Sequence, residues 1–136
     1  MADTTLAPGA WRWDGETGQD VVLLATHCGR CGAQTFPPVA ACPGCWERAD
    51  LHEVALPRRG TVHALTVTHI PADGIDAPYA VAYVDVPDGP RVCGRLREWD
   101  GVRVGDPVEP VAGVLRAGST GTVHGWLFRP TDAEQP

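Results

Sequence analysis

Two pairs of cysteines constrain this chain more than any other feature of its sequence. Both pairs have the form C-x2-C, and ten residues separate one pair from the other. A C-x2-C turn can direct both sulfurs toward one ion, and the spacer is long enough for a short hairpin that brings the pairs together. Four thiolates then complete a tetrahedral shell around a metal ion. The predicted ligands are Cys28, Cys31, Cys42 and Cys45.

A shell of four sulfurs suits zinc, and it also suits the single iron of rubredoxin-like electron carriers. The cysteines occupy only the first third of the chain and a β-rich region follows them, which favours zinc. Catalytic zinc keeps one position open for water or substrate, whereas four cysteines close the shell. We therefore predict one structural Zn²⁺ ion per chain, and we interpret the nearby His27 and His52 as surface residues.

The cysteine turns also carry Gly29, Gly32 and Gly44, which are expected to supply positive-φ conformations. Metal binding contributes folding free energy on the order of 10 kcal/mol in small zinc peptides. We therefore expect chelation of the metal to unfold residues 21–56 and to leave the barrel predicted below largely folded.

The chain has 136 residues, a formal net charge of −6 and a pI of about 5.2. Binding to a phosphate backbone usually requires a basic surface, so the acidic balance disfavours nucleic-acid binding. Residues 1–20 lack the basic start and apolar run of a signal peptide, and no stretch approaches the ~20 apolar residues of a membrane span. A cytoplasmic location with reduced thiols is therefore expected, and there paired cysteines indicate metal ligands before disulfides.

Short β-type runs dominate the chain after a Pro-Arg-Arg-Gly break at residues 57–60. Five such runs follow, and no window has convincing helical periodicity. A small closed barrel of the OB type fits this count because closure removes exposed strand edges, and a small sandwich fits it as well. The residues predict a mainly β fold with an N-terminal rubredoxin-like zinc ribbon, and the family resemblance given below implies that a five-stranded OB-fold barrel follows it. The predicted units are an N-terminal arm at 1–20, the ribbon at 21–56, the OB-fold domain at 57–130 and a tail at 131–136.

Candidate ligand-binding residues lie in the run from Arg91 to Leu96. Strand alternation places Arg91 and Arg95 on one face together with Cys93. Spaced arginines beside an apolar barrel can bind phosphate groups. The alternative interpretation is that these arginines belong to a solvated strand face. Cys93 itself is interpreted as a small buried hydrophobic residue.

Sequence motifs of common enzymes are absent: there is no G-x-S-x-G elbow, no P-loop and no G-x-G-x-x-G. Strand alternation predicts that His63 and His69 share one face, with Leu65 and Val67 between them. Such histidines more often line a rim or a packing face than perform acid–base chemistry, so no catalytic residue is assigned to this chain.

The motifs "CGRCGAQTFPPVAACPGC", "GTVHALTVTHI", "PYAVAYVDVPDGPRVCGRL", "GDPVEPV" and a closing "FRP" occur in this order. Over residues 21–130 the chain resembles the domain of unknown function family thirty-five, which joins a zinc ribbon to an OB-fold. The two C-x2-C turns, with the Phe-Pro-Pro sequence between them, are the most specific part of this resemblance. Two departures are Val39 and Ala40, where the family often has a basic residue, and an N-terminal extension shortened to a "WRW" arm.

The resemblance implies an accessory protein of acyl-CoA metabolism. Members of this family associate in hetero-oligomers with thiolases, thiolase-like aldolases or hot-dog-fold hydratases, in steroid, fatty-acid or aromatic degradation. The ribbon then docks on the partner, the OB-fold domain helps to shape a shared acyl-CoA channel, and the catalytic groups belong to the partner. Under this interpretation Arg91 and Arg95 are candidate CoA ligands, and the chain is a required but non-catalytic subunit.

Tryptophan and arginine are the residues most often found at interface hot spots. The candidate interface anchors are Trp11, Trp13, Trp46 and Trp99, whereas Trp126 is expected in the core. Zinc ribbons and OB-fold barrels also bind nucleic acids, so a nucleic-acid-binding module is the alternative function. A rubredoxin-like electron carrier is the third.

Overall fold

The computed structural model describes residues 2–13, 20–72, 74–119 and 121–131, and every regular element in these ranges is a β-strand. No helix long and apolar enough to cross a membrane occurs in the ranges described. The strands are β1 (Ala2–Thr5), β2 (Trp11–Trp13), β3 (Val21–Cys28), β4 (Gln34–Thr35), β5 (Leu51–Ala55), β6 (Gly60–Thr68), β7 (Tyr79–Asp85), β8 (Arg91–Leu96), β9 (Pro107–Gly118) and β10 (Gly121–Pro130).

Strands β6 to β10 close into a five-stranded barrel. Neighbouring strands β6, β7 and β8 pair antiparallel, and β9 pairs antiparallel with both β6 and β10. The last seam joins β10 to β8 in parallel, at Phe128 and Leu96. This closure confirms the predicted barrel and excludes the sandwich.

The zinc ribbon is built around β3. The second half of this strand pairs antiparallel with β4 and β5, and its register with β5 runs from Leu24↔Ala55 to Cys28↔Leu51. Cys28 therefore lies at the end of a paired strand, and the first cysteine turn begins where the pairing stops. The order of ribbon followed by barrel is the one that the sequence predicts.

The N-terminal segment is paired with the rest of its own chain at two places. Strand β1 runs parallel to β10, with Ala2 opposite Gly121 and Thr5 opposite His124. Strand β2 pairs antiparallel with the first half of β3. The "WRW" segment thus extends the ribbon sheet, and β1 extends the barrel sheet.

The ribbon and the barrel share one hydrophobic core. Val21 and Leu23 of β3 belong to the same buried cluster as Val84 and Phe128 of the barrel. The rings of Phe36 and Trp126 also meet edge to face, with centroids 5.3 Å apart. The first half of β3 is therefore held by the barrel and not by the metal, which narrows the segment expected to unfold on chelation to residues 28–50.

The prediction that His63 shares a face with Leu65 and Val67 is wrong. The register of β6 against β7 shifts between Val62 and Ala64, so a β-bulge adds one residue at His63. The extra residue reverses the alternation of the strand. As a result, Leu65 and Val67 pack against the core, whereas His63 is exposed. His69 lies beyond the end of β6 and is exposed.

Candidate metal centre and barrel surface

The four predicted metal ligands form a compact sulfur cluster. All four Sγ atoms lie within 4.8 Å of one another. The Cys28–Cys45 and Cys31–Cys42 sulfur pairs are each separated by 3.6 Å. A tetrahedron with metal–sulfur bonds of ~2.3 Å has edges of ~3.8 Å, so the cluster has the size of a closed four-thiolate zinc site.

Neither nearby histidine belongs to this cluster, which among the described residues consists of the four cysteines. The Nε2 atom of His52 instead lies 2.6 Å from Oδ1 of Asp50, on the surface. His27 pairs across the ribbon with His52. Four sulfurs complete the coordination of one Zn²⁺ ion without leaving an open position, which is the arrangement of a structural site.

The two cysteine turns have the same backbone hydrogen bonds. The N–H of Gly32 donates to the carbonyl of Cys28 at 2.9 Å, and the N–H of Trp46 donates to the carbonyl of Cys42 at 2.8 Å. Both donors have positive φ, +82° at Gly32 and +68° at Trp46. Trp46 therefore occupies in the second turn the left-handed position that Gly32 occupies in the first.

Of the three glycines expected at positive φ, Gly32 adopts it and the other two do not. A Cβ on Gly29 would overlap the carboxylate of Asp50, an exposed side chain that would have to move aside. The backbone nitrogen of Gly44 lies 3.4 Å from Sγ of Cys42, to which its N–H donates. The prediction missed Trp46 because a bulky side chain rarely takes this conformation.

Hydrogen bonds from backbone N–H groups favour the thiolate form of the metal-binding cysteines. Hydrogen bonds from the N–H groups of Cys45 and Gly44 lower the pKa of Cys42 to about 7. At Cys45 the N–H of Glu47 acts in the same direction, but burial and the neighbouring thiols outweigh it and raise the pKa to about 12. A divalent cation at the centre of the cluster favours the thiolate at every position, because it is the largest local charge.

The outer face of β8 carries Arg91, Cys93 and Arg95, whereas Val92 and Leu96 on the opposite face are buried. The alternation is the predicted one, but Cys93 is exposed and the prediction of a buried thiol is wrong. Its cross-strand neighbour is the exposed Tyr83, so Cys93 faces outward with that ring.

The two candidate arginines have different surroundings. The Nε of Arg91 lies 2.6 Å from Oδ1 of Asp85, and Nδ1 of His63 lies 3.3 Å from the other carboxylate oxygen. The hydrogen bond with Asp85 raises the pKa of Arg91, and the same contact lowers that of Asp85. Arg91 therefore already has a carboxylate partner.

The guanidinium of Arg95 donates to the carbonyls of Leu115 and Val114 and lies 5.8 Å above the ring of Tyr79. Burial lowers the pKa of Arg95. Four residues of strand span ~13 Å, so Arg95 and Arg91 do not converge on one point. Arg95 instead shares a cleft of about 220 Å³ with Arg97.

The predicted interface tryptophans differ in exposure. Trp46 is 77% exposed and Trp13 is 55% exposed. Trp11 and Trp99 pack against the core, and the indole N–H of Trp11 donates to the carbonyl of Leu6 at 3.0 Å. Trp126 is buried, as predicted.

Comparison with known families gives two matches along the chain. Residues 19–51 match the rubredoxin-like zinc ribbon domain of ChsH2, and residues 53–113 match the C-terminal OB-fold domain of ChsH2. A chain in a solved structure of the Ltp2-ChsH2(DUF35) aldolase has a similar fold. Its TM-score is 0.60 and its identity 29%, over 80% of this chain and 84% of that one.

Three relatives support the same assignment. A DUF35 domain-containing scaffold protein of Methanothermobacter thermautotrophicus is 32% identical over 79% of this chain and 86% of its own length. The benzoylsuccinyl-CoA thiolase subunit BbsA of Thauera aromatica is 32% identical over 73% of this chain and 69% of its own. BbsA of Geobacter metallireducens is 36% identical over 69% of this chain and 64% of its own length. The chain therefore belongs to the DUF35 family, the domain of unknown function family thirty-five that its motifs resemble.

Proposed function

We propose that this chain is a non-catalytic accessory subunit of an acyl-CoA-processing enzyme, with a thiolase or a thiolase-like aldolase as its partner. The observation that carries the proposal is its relationship to a thiolase subunit and to a chain of an aldolase complex, over most of the chain in each case. Catalytic groups would then belong to the partner. A hot-dog-fold hydratase is a less favoured partner, because none of the named relatives is a hydratase.

The metal end of the ribbon is the proposed docking surface. Trp46 is 77% exposed and is held at φ +68°, in a turn that the sulfur cluster fixes. A left-handed bulky residue is strained, and such strain is concentrated at functional sites. A rigidly held tryptophan can bury a large apolar surface on a partner with little loss of conformational entropy. These properties favour Trp46 over Trp11 and Trp99, which are packed on their own core.

The cleft between Arg95 and Arg97 is the proposed contact for the phosphates of CoA. Burial against Tyr79 and the carbonyls of β9 holds the Arg95 guanidinium in place. Arg97 has a side chain 33% exposed and is 3.8 Å from Glu98, a distance at which the ion pair is weak. Arg91 remains a candidate, but its pairing with Asp85 would have to be broken for it to bind phosphate.

The test is affinity purification of the tagged chain from its native lysate, in parallel with Trp46→Gly and Ile70→Ala variants. Ile70 is also 77% exposed, so it is a matched control for loss of an exposed apolar side chain. We expect a thiolase-type protein at near-equal stoichiometry with the unmodified chain and with Ile70→Ala, and at least tenfold less with Trp46→Gly. Recovery of the chain alone, or with nucleic acid, would reject the proposal.

A further inference from the structure

Two histidines lie directly opposite each other on the ribbon sheet, outside the sulfur cluster. His27 of β3 and His52 of β5 are register partners in an antiparallel pair of strands. Directly opposed residues project from the same face of a sheet, with their Cβ atoms about 4.5–5.5 Å apart. Neither His63, His69 nor His124 has a histidine opposite it. The register therefore places two imidazoles side by side on one face of the ribbon.

A carboxylate on the same face contacts one of these rings. The ladder continues one step beyond the histidine pair, because the N–H of Gly29 donates to the carbonyl of Asp50 at 2.8 Å. Asp50 thus projects from the same face as His52, and its Oδ1 lies 2.6 Å from Nε2 of His52. A Cβ on Gly29 would overlap this carboxylate. The absence of a side chain at Gly29 leaves the space in which the carboxylate reaches the ring.

The contact with Asp50 determines which nitrogen of His52 can bind a cation. A carboxylate accepts hydrogen bonds, so the neutral imidazole carries its proton on Nε2 and keeps a lone pair on Nδ1. Histidines that bind metals commonly donate their other ring N–H to a carboxylate, which fixes the tautomer and the orientation of the ring. Asp50 is therefore a positioning residue, and Nδ1 of His52 is the available ligand atom.

His27 supplies the second imidazole. Its side chain is half-buried, and its ring nitrogens have no hydrogen-bond partner among the described residues. The next register pair on this face, Ala25 opposite Val54, packs on the hydrophobic core. An apolar border of this kind limits solvent access and lowers the local dielectric at a site. His27 can therefore turn a free nitrogen toward His52 without breaking a hydrogen bond.

Two imidazoles at this spacing can chelate one metal ion. Tetrahedral zinc with Zn–N bonds of ~2.0–2.1 Å has its nitrogens ~3.3 Å apart, a separation that rotation of the two side chains can reach. Imidazole suits zinc, copper and nickel, whereas calcium and magnesium prefer oxygen ligands. A pair of histidines leaves the other coordination positions to water. The matching ligand is a divalent transition-metal ion that exchanges with solvent.

We propose that His27 and Nδ1 of His52 form a second metal site, with Asp50 holding the ring of His52. The site is separate from the sulfur cluster, because His27 and Cys28 are successive residues of β3 and project from opposite faces. It does not depend on the proposed accessory function. The ribbon then carries an exchangeable ion in addition to the structural one.

The test is a calorimetric titration of the full-length chain, already loaded with one zinc ion, with further Zn²⁺. Native mass spectrometry counts the bound ions, and ¹H–¹⁵N NMR of the imidazoles identifies the ligand atoms. We expect one further saturable equivalent of Zn²⁺. Its binding should shift the Nδ1 resonance of His52, while Nε2 of the same ring remains protonated.

Four variants separate chelation from binding to single surface histidines. His27→Ala and His52→Ala should each weaken binding of the second ion at least tenfold, because each leaves one imidazole. Asp50→Asn should weaken it about tenfold, the lower end of the effect of removing a carboxylate behind a ligating histidine. His69→Ala is the matched control and should bind unchanged, since His69 is exposed outside the ribbon. All four variants should retain the first ion.

Three results would overturn the inference. They are the absence of a second saturable equivalent, an equal loss from His27→Ala and His69→Ala, and coordination of His52 through Nε2. The ligand atoms are identified on the unmodified chain, so that measurement remains decisive if a variant loses its structural ion. Recovery of a thiolase-type partner tests the accessory function alone and leaves these outcomes unchanged.

Discussion

Between residues 29 and 50 the one buried side chain is Cys42, whereas the barrel is filled with buried side chains such as Val62, Val84 and Phe128. Burial of apolar surface contributes about 25 cal/mol per Å², so the barrel can be stable through its own packing. The metal end has little surface of this kind to bury. Its turns are therefore held by four sulfurs and an ion, and the same chain combines two sources of stability.

The largest expected difference between the two regions follows removal of the metal. Chelation, or Cys42→Ser, should abolish the protection of backbone amides in residues 28–50, because metal binding contributes on the order of 10 kcal/mol to such turns. Residues of the barrel and of β3 up to Ala25 should stay protected, since Ala25 belongs to the shared core. Hydrogen exchange read by mass spectrometry checks both. Cys93→Ser is the control, and loss of protection throughout the barrel would contradict the comparison.

The converse change is Phe128→Ala, which removes a fully buried ring at the barrel seam. A change of this kind costs about 3–5 kcal/mol, and here it should also loosen the first half of β3 through the shared core. The free energy of unfolding in urea measures the loss. Tyr83→Ala is the matched control, because that ring is 52% exposed on the outer face. Equal losses in the two variants would show that the buried cluster does not determine barrel stability.

A smaller effect is expected at Trp46, and it separates stability from docking. Trp46→Gly relieves a left-handed conformation that costs about 1 kcal/mol in a non-glycine residue. The variant should therefore retain its metal and resist chelation at least as well as the unmodified chain, although it binds the partner less. A competition titration with a chelator gives the metal affinity. A large loss of affinity would mean that the tryptophan side chain stabilises the turn.

The smallest effect concerns pH and the barrel surface. The hydrogen bond from Arg91 lowers the pKa of Asp85, so the carboxylate contributes stability above its unfolded pKa of about 3.9 and loses it as pH falls through the lower folded value. Asp85→Asn should lower the melting temperature slightly at pH 7, and the difference should vanish in strong acid. Melting curves of both proteins at pH 7 and below pH 3 test this. A difference in melting temperature that increases in acid would contradict this prediction.

The local features of the sequence predicted the metal site and the face of β8 correctly. Cys28 and Cys31 belong to a spacing that leaves few other geometries, and the alternation of Arg91 and Arg95 depends only on strand periodicity. Features set by contacts between strands were missed. The bulge at His63 depends on the register of β6 against β7, which no local pattern specifies.

Two further surprises have the same origin. The exposure of Cys93 depends on which face of β8 the barrel closes upon, and a small apolar residue does not reveal this. The positive φ of Trp46 follows from the metal geometry, which requires the same turn twice although the sequence supplies glycine once. The sharing of one core by ribbon and barrel is likewise a tertiary property, because the break at residues 57–60 suggested independent units.

The most direct test of the accessory role is reconstitution of a thiolase-type partner that copurifies with the chain. Turnover of an acyl-CoA substrate would be measured for the partner alone, for this chain alone and for the two together. We predict turnover only for the mixture, saturating at a fixed ratio of the two proteins. Full activity of the partner without this chain would contradict the account.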